Sequence, residues 1–196
     1  MLGGTAALLL EKSGYLSEID SRFGDGDHGV TMGKISRLIQ QRVAAWTDES
    51  LYDFLDGLGV GIMGIGGGSA GPLYGTLIGG LALPLEGKDE IDAATLKAML
   101  VSSRDEMYEI STARIGDKTM MDALIPAVDA ALLAPDDVDA ILAAAAEAAA
   151  AGALASEGFI SKFGRAKSYK EQTIGTPDAG AVSTSLLFEG LALPVR

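Results

Sequence analysis

The residues best equipped for chemistry lie in one short stretch. FGDGDHG at 23–29 holds two carboxylates, Asp25 and Asp27, and the single histidine of the chain, His28. A third carboxylate, Asp20, closes the apolar run just upstream. Asp25 and Asp27 lie at most about 7 Å apart between Cα atoms even when fully extended. Gly24 and Gly26 permit a tight return that brings Asp20 beside them. Three carboxylates about 5 Å apart repel by roughly 3 kcal/mol per pair at an effective dielectric near 20. A hard divalent cation turns that repulsion into attraction, and oxygen-only ligands fit Mg²⁺, which keeps waters and phosphate oxygens in its remaining positions. The same residues also fit a solvated acidic turn in which His28 opens a helix, and the stretch alone does not separate the two.

Familiar motifs do not account for it. GDGDHG matches G-x-G-x-x-G, but so do GVGIMG at 59–64 and GGGSAG at 66–71, and no strand pattern precedes it as a dinucleotide fold requires. No G-x-x-x-x-G-K-[ST] occurs. An EF-hand counted from Asp25 would need a bidentate Glu where Ser36 stands.

Three further loops carry groups suited to a polyphosphate, each with a plain structural alternative. GGGSAGPLYG (66–75) runs into an apolar helix, where glycines and free N–H groups suit phosphate; otherwise Ser69 caps the helix and the glycines allow close packing. GDKTMMDAL (116–124) contains a T-x-x-D capping box, Thr119 to Asp122, with Lys118 either solvated or a partner of an acidic site. GRAKSYKEQTIGTPDAGA (164–181) brings Arg165, Lys167 and Lys170 into an acidic chain. It reads as guanidinium recognition of phosphate or as a solvated loop with Asp178 capping the last helix.

The elements that must position these loops are helical. Leu96, Met99, Leu100, Ser103, Met107 and Ile110 recur at intervals of three and four, and similar spacing predicts helices over 5–18, 31–46, 51–64, 71–84, 119–133, 137–156 and 181–193. No segment alternates like a strand, and the short connections rich in Gly, Asp, Ser and Pro predict an antiparallel helical bundle. Residues 158–178 have no clear period, and a loop that long is usually functional or mobile. The 196 residues read as one domain, 1–196, with no linker-like tract or repeat.

Composition narrows the function. A net charge of −12 argues against nucleic-acid binding, which relies on Lys and Arg. The Ala-rich region 140–156 is interrupted by Glu147 and reads as a buried helix instead of a membrane span. The chain has no cysteine, which fits a reducing cytoplasm, and no signal-peptide pattern opens it.

Taken in order, Asp20 with GDGDHG, GGxSxGPLYG, GDKTMxDAL and GRA…IGxxDxGA resemble the nucleotide-binding L subunit of dihydroxyacetone kinases, from Asp20 to Ala181. The resemblance implies an all-α, eight-helix antiparallel barrel with the nucleotide held at one end by interhelical loops. It makes Asp20, Asp25 and Asp27 ligands of two Mg²⁺ ions that bridge the phosphates of ADP or ATP. His28 and Thr31 then contact phosphate, Ser69 and Ala70 offer backbone groups, Met120 lies near adenine, Arg165 reaches the nucleotide, and Asp178, Ala179 and Gly180 close over it. It also implies a K-type subunit that holds the keto substrate on a histidine, since His28 is committed to the phosphate loop, with room for a homodimer. ADP would be recharged in place by a phosphohistidine carrier of the phosphotransferase system. A kinase component for a related ketose such as erythrulose, working with exchangeable ATP, and an ADP-sensing module are the alternatives. The chain departs from the family at Ala70, where a serine is usual, at Arg165-Ala166-Lys167-Ser168-Tyr169, at Lys170-Glu171-Gln172 and at Asp178-Ala179-Gly180, and its first helix reads as short.

Overall fold

Several helix starts are fixed by the side chains just ahead of them. Ser50 accepts the N–H of Asp53, Asp92 that of Thr95, and Asp137 that of Ala140, at 2.7–3.0 Å, satisfying N–H groups that the first helical turn leaves without a partner. The computed structural model describes residues 1–194, and among them there is no strand. The described residues form nine α-helices: α1 (Leu2–Glu11), α2 (Ser13–Asp20), α3 (His28–Ala45), α4 (Leu51–Met63), α5 (Ala70–Gly80), α6 (Ala93–Ile110), α7 (Met121–Leu133), α8 (Val138–Ala155) and α9 (Ala179–Ala192).

The helix expected over 5–18 is broken in two at Lys12, whose ψ is near 0°. Ser13 donates its hydroxyl to the Leu10 carbonyl at 2.8 Å, competing with the backbone ladder, and Gly14 follows. With α1 and α2 taken as one interrupted helix, the fold is the eight-helix arrangement. Segment 158–178 is not featureless: Arg165–Thr173 winds into 3₁₀ turns, broken at Lys170, which takes a φ of 49°.

Neighbouring helices pack in sequence from α3 to α9, and α9 returns against α1, which packs on α3, so the ring closes. Leu9, Met32, Ile35, Leu58, Ile62, Tyr74, Leu77, Met107, Val128, Ile141 and Phe188 are among the buried residues of its interior. Helix α8 is long and apolar enough to cross a membrane by length and composition alone. Here it packs between α7 and α9 through Ile141, Leu142, Ala145, Ala149 and Ala153. Helices that alternate in direction put every second connection at the same end. The connections after α2, α4, α6 and α8 are the four loops singled out by their residue types.

Candidate nucleotide and metal site

The three carboxylates do converge. Asp20 sits on the last turn of α2, Asp25 and Asp27 lie in the turn that leads to α3, and one oxygen from each lies within 4.8 Å of the others. Gly24 makes this approach possible, because a Cβ there would stand 2.3 Å from the Asp20 carboxylate. The N–H of His28, at the start of α3, reaches the Asp20 carboxylate at 3.4 Å, so a helix N-terminus faces the cluster. Asp25 pairs with Arg165 at 2.5 Å, whereas Asp20 and Asp27 make no ion pair among the described residues. Three close oxygens with one flexible counter-charge are the donor set that a hard divalent cation takes.

The cluster opens into a cavity of about 500 Å³ lined by all four loops. Asp20, Asp25, Asp27, His28, Ser69, Ala70, Met120, Arg165, Asp178, Ala179 and Gly180 all line it. Thr31 does not: it is buried, and its hydroxyl is turned to the carbonyl of Gly67 at 3.4 Å. Its part is to seat the glycine loop, where a Cβ on Gly67 would stand 2.1 Å from the Thr31 hydroxyl oxygen. Ser69 makes no side-chain capping bond to α5, which leaves its hydroxyl to the cavity. Met107, Ile110, Ala113, Met120 and Phe163 give the same cavity an apolar lining. A flat, hydrophobic body suits that apolar lining, and an anionic end suits the carboxylates only with a cation between them.

Several buried groups had no assigned role in the sequence. Tyr74, 2% exposed, brings its hydroxyl to Ser183 at 2.6 Å and Thr184 at 2.9 Å. Ser183 in turn meets Nε2 of His28 at 2.8 Å. The Ser183 hydroxyl also lies 2.8 Å from the Ala179 carbonyl a turn back, so one buried serine links Tyr74, His28 and the backbone of α9. Burial lowers the His28 pKa, with the charges of Asp20 and Asp27 pulling the other way. Burial likewise pushes the Tyr74 hydroxyl up to about 12. The signal for this network was present: Ser183 and Thr184 are polar residues within a largely apolar helix, and Tyr74 lies within GPLYG.

Lys118 is neither solvated nor paired with the acidic cluster. It is 4% exposed, and its ammonium donates to the carbonyls of Ser156, Phe159 and Thr176. Burial lowers its pKa, opposed by Asp178, Glu157 and Asp122. Asp178 does cap α9, accepting the Ala181 N–H at 2.8 Å. Burial nonetheless pushes its carboxyl up to about 7, against the pull of that N–H and of Lys118. The Thr119–Asp122 box is half formed: Asp122 accepts the N–H groups of Thr119 and Gly116, while the Thr119 hydroxyl takes Met121 instead of Asp122. Burial raises the Asp122 pKa in spite of those two donors.

Comparison with known proteins agrees with this architecture. The family model of the DAK2 domain matches residues 22–193. A relative from Listeria innocua, the ADP-binding subunit DhaL of a PEP-dependent dihydroxyacetone kinase, is 31% identical over 95% of this chain and 88% of its own length. The D-erythrulose kinase of Mycolicibacterium smegmatis is 31% identical over 92% of this chain, which spans 32% of that longer protein. The crystal structure of the dihydroxyacetone kinase from C. freundii in complex with AMP-PNP and Mg²⁺ superposes with a TM-score of 0.71 at 27% identity. That alignment covers 97% of this chain and 32% of the solved one.

Proposed function

The chain belongs to the DAK2 domain family, and on that premise we propose that it is the nucleotide-binding subunit of a dihydroxyacetone kinase. The observation that carries this reading is the carboxylate cluster, with oxygens within 4.8 Å of one another, in a cavity that also has an apolar lining. In this reading Asp20, Asp25 and Asp27 hold two Mg²⁺ ions, and the apolar side beside Met120 takes the base of ADP or ATP. Bound magnesium supplies charge neutralisation to the phosphoryl group in transfer. The chain's own residues do the rest. The N-terminus of α3 and the His28 ring face the phosphates, Ser69 and Ala70 offer donors from the start of α5, and Arg165 adds a guanidinium from the opposite wall.

The ketone has no anchor on this chain, because its one histidine is engaged with Ser183. A K-type subunit would therefore present the acceptor at the open end of the ring, and holding it in line with the donor phosphate lowers the barrier by proximity. The PEP-dependent relative supports recharging of bound ADP by a phosphohistidine carrier, and a cysteine-free chain suits the cytoplasm. The erythrulose kinase relative makes a four-carbon ketose the second acceptor to assay. Calorimetry of ADP binding with Mg²⁺ and with EDTA tests the reading: binding is expected only with the metal, and unchanged affinity in EDTA would sink it. A coupled assay with dihydroxyacetone, with and without a K-type subunit, tests the division of labour, and robust turnover by the isolated chain refutes it.

A further inference from the structure

Segment 156–178 arches over the cavity and carries Phe163 and Arg165 on its inner side. Its two ends come together on one side chain. The Lys118 ammonium donates to Ser156 at 2.6 Å and Phe159 at 3.2 Å near the first end, and to Thr176 at 2.6 Å near the second. Three N–H groups meet three carbonyls, which is the full donor capacity of a lysine. Neighbouring bonds tie the same ends to each other: Gly175 N–H to the Glu157 carbonyl, and Asp178 N–H to the Ser156 hydroxyl. Lys118 also adopts a left-handed backbone, φ 59°, where glycine or asparagine is the ordinary choice. A lysine kept in that conformation and buried to 4% exposure is there for its side chain.

We propose that Lys118 is a positioning residue that pins both ends of the 156–178 arch and thereby sets how slowly a bound nucleotide leaves. The inference rests on the nucleotide reading of the cavity. It does not require Lys118 to touch the phosphates. With the ends fixed, Arg165 stays within reach of Asp25, Tyr169 stays against Phe23 at 5.2 Å between ring centroids, and Phe163 closes the apolar side. Without the ammonium, three carbonyls lose their donor and the arch opens from its base, so release speeds up far more than capture.

The experiment measures dissociation of a fluorescent ADP analogue, in Mg²⁺ and chased with unlabelled ADP, from the full chain. Lys118→Met is expected to release about tenfold faster or more, with an association rate within about threefold of wild type. Trypsin should cut within 162–170, where Lys162, Arg165, Lys167 and Lys170 lie, faster in that variant than in wild type, both holding Mg-ADP. Ser103→Ala serves as the control for general destabilisation, since it removes a buried bond to the Leu77 carbonyl remote from the arch. It should lower the melting temperature and leave release unchanged. The chain contains no cysteine, so Lys118→Cys can be aminoethylated at a single thiol while unfolded and then refolded. Restored slow release in the aminoethylated protein supports the pin, and should Lys118→Met fail to fold, this pair with Lys118→Gln carries the test. Wild-type release from folded Lys118→Met, equal acceleration by Ser103→Ala, or no rescue by aminoethylation overturns it. Loss of all Mg-ADP binding by the wild type would instead overturn the nucleotide reading and this inference with it.

Discussion

The acidic turn 20–28 and the arch 156–178 face each other across one cavity and are built in opposite ways. The turn is short, held at both ends by helices α2 and α3, and it gathers negative charge. The arch is long, wound in 3₁₀ turns with a left-handed break at Lys170, and it supplies Arg165, Lys167 and Lys170. Rigid helix ends suit metal ligands, whose geometry must be held closely. An arch tied at its base suits a group that has to admit and release a ligand. On the proposed reading, the difference would divide affinity for the metal and retention of the nucleotide between separate parts of one site, so that each can be altered separately.

The largest effect should come from the turn. Asp27→Ala or Asp25→Ala removes a ligand oxygen, and Mg-dependent ADP affinity is expected to fall by about a hundredfold or more, beyond what changes to outer-shell groups cause. Titration calorimetry measures this, and a variant that binds like wild type would erase the distinction between the two regions.

Ligand linkage sharpens the comparison next. Mg-ADP at a hundredfold excess over its dissociation constant should stabilise the wild type by about 2.7 kcal/mol. For a chain of this length that raises the melting temperature by roughly 5–10 °C. The shift should vanish in Asp27→Ala and persist, reduced, in Arg165→Ala. A scanning-fluorimetry series with all three proteins reads it directly.

Asp178 predicts a pH dependence at the hinge of the arch. Its folded value of about 7 lies above the unfolded value of 3.8, so the folded state binds more protons between those limits. The stability this group contributes is fully present below pH 3.8 and is lost as pH rises through about 7. Asp178→Asn keeps an oxygen for the Ala181 N–H and removes the charge. It should match wild type near pH 3 and exceed it by up to about 4 kcal/mol at pH 8 in metal-free urea melts. Equal stability at both pH values would show that the carboxylate is well solvated.

The smallest effect concerns the pair that bridges the two regions. Arg165 is mostly exposed, so losing its bond to Asp25 should change metal-free stability by less than about 1 kcal/mol. Arg165→Ala is nevertheless expected to weaken Mg-ADP by about tenfold, through lost phosphate contact. Denaturant melts and calorimetry on the one variant separate the two terms.

The contrast also marks what was legible in the sequence. Local chemistry was: the carboxylates at 20, 25 and 27, the glycines that let them meet, the helical spacing, and Asp178 as a cap all follow from neighbours in the chain. Long-range partners were not. Nothing near Lys118 indicates that its ammonium meets carbonyls some forty to sixty residues later, and Tyr74 finds its hydroxyl partners more than a hundred residues away. Thr31 has the right type and position for phosphate, but the close approach of Gly67 turns its hydroxyl elsewhere. The break at Lys12 rests on a single serine bond in a stretch whose apolar spacing continues unbroken.

Helix α9 closes the ring against α1 and also brings Ser183 and Thr184 to His28 and Tyr74. A ribosome delivers the acidic turn well before this helix. During synthesis the nascent chain therefore exposes its three clustered carboxylates long before the hydroxyls that meet the imidazole exist. Loop-closure entropy opposes the final α1–α9 contact until most of the other helices have packed. On the proposed reading, occupancy of the site would report that the chain through α9 has been made and folded, and a polypeptide stalled before residue 179 has neither a closed ring nor a finished site.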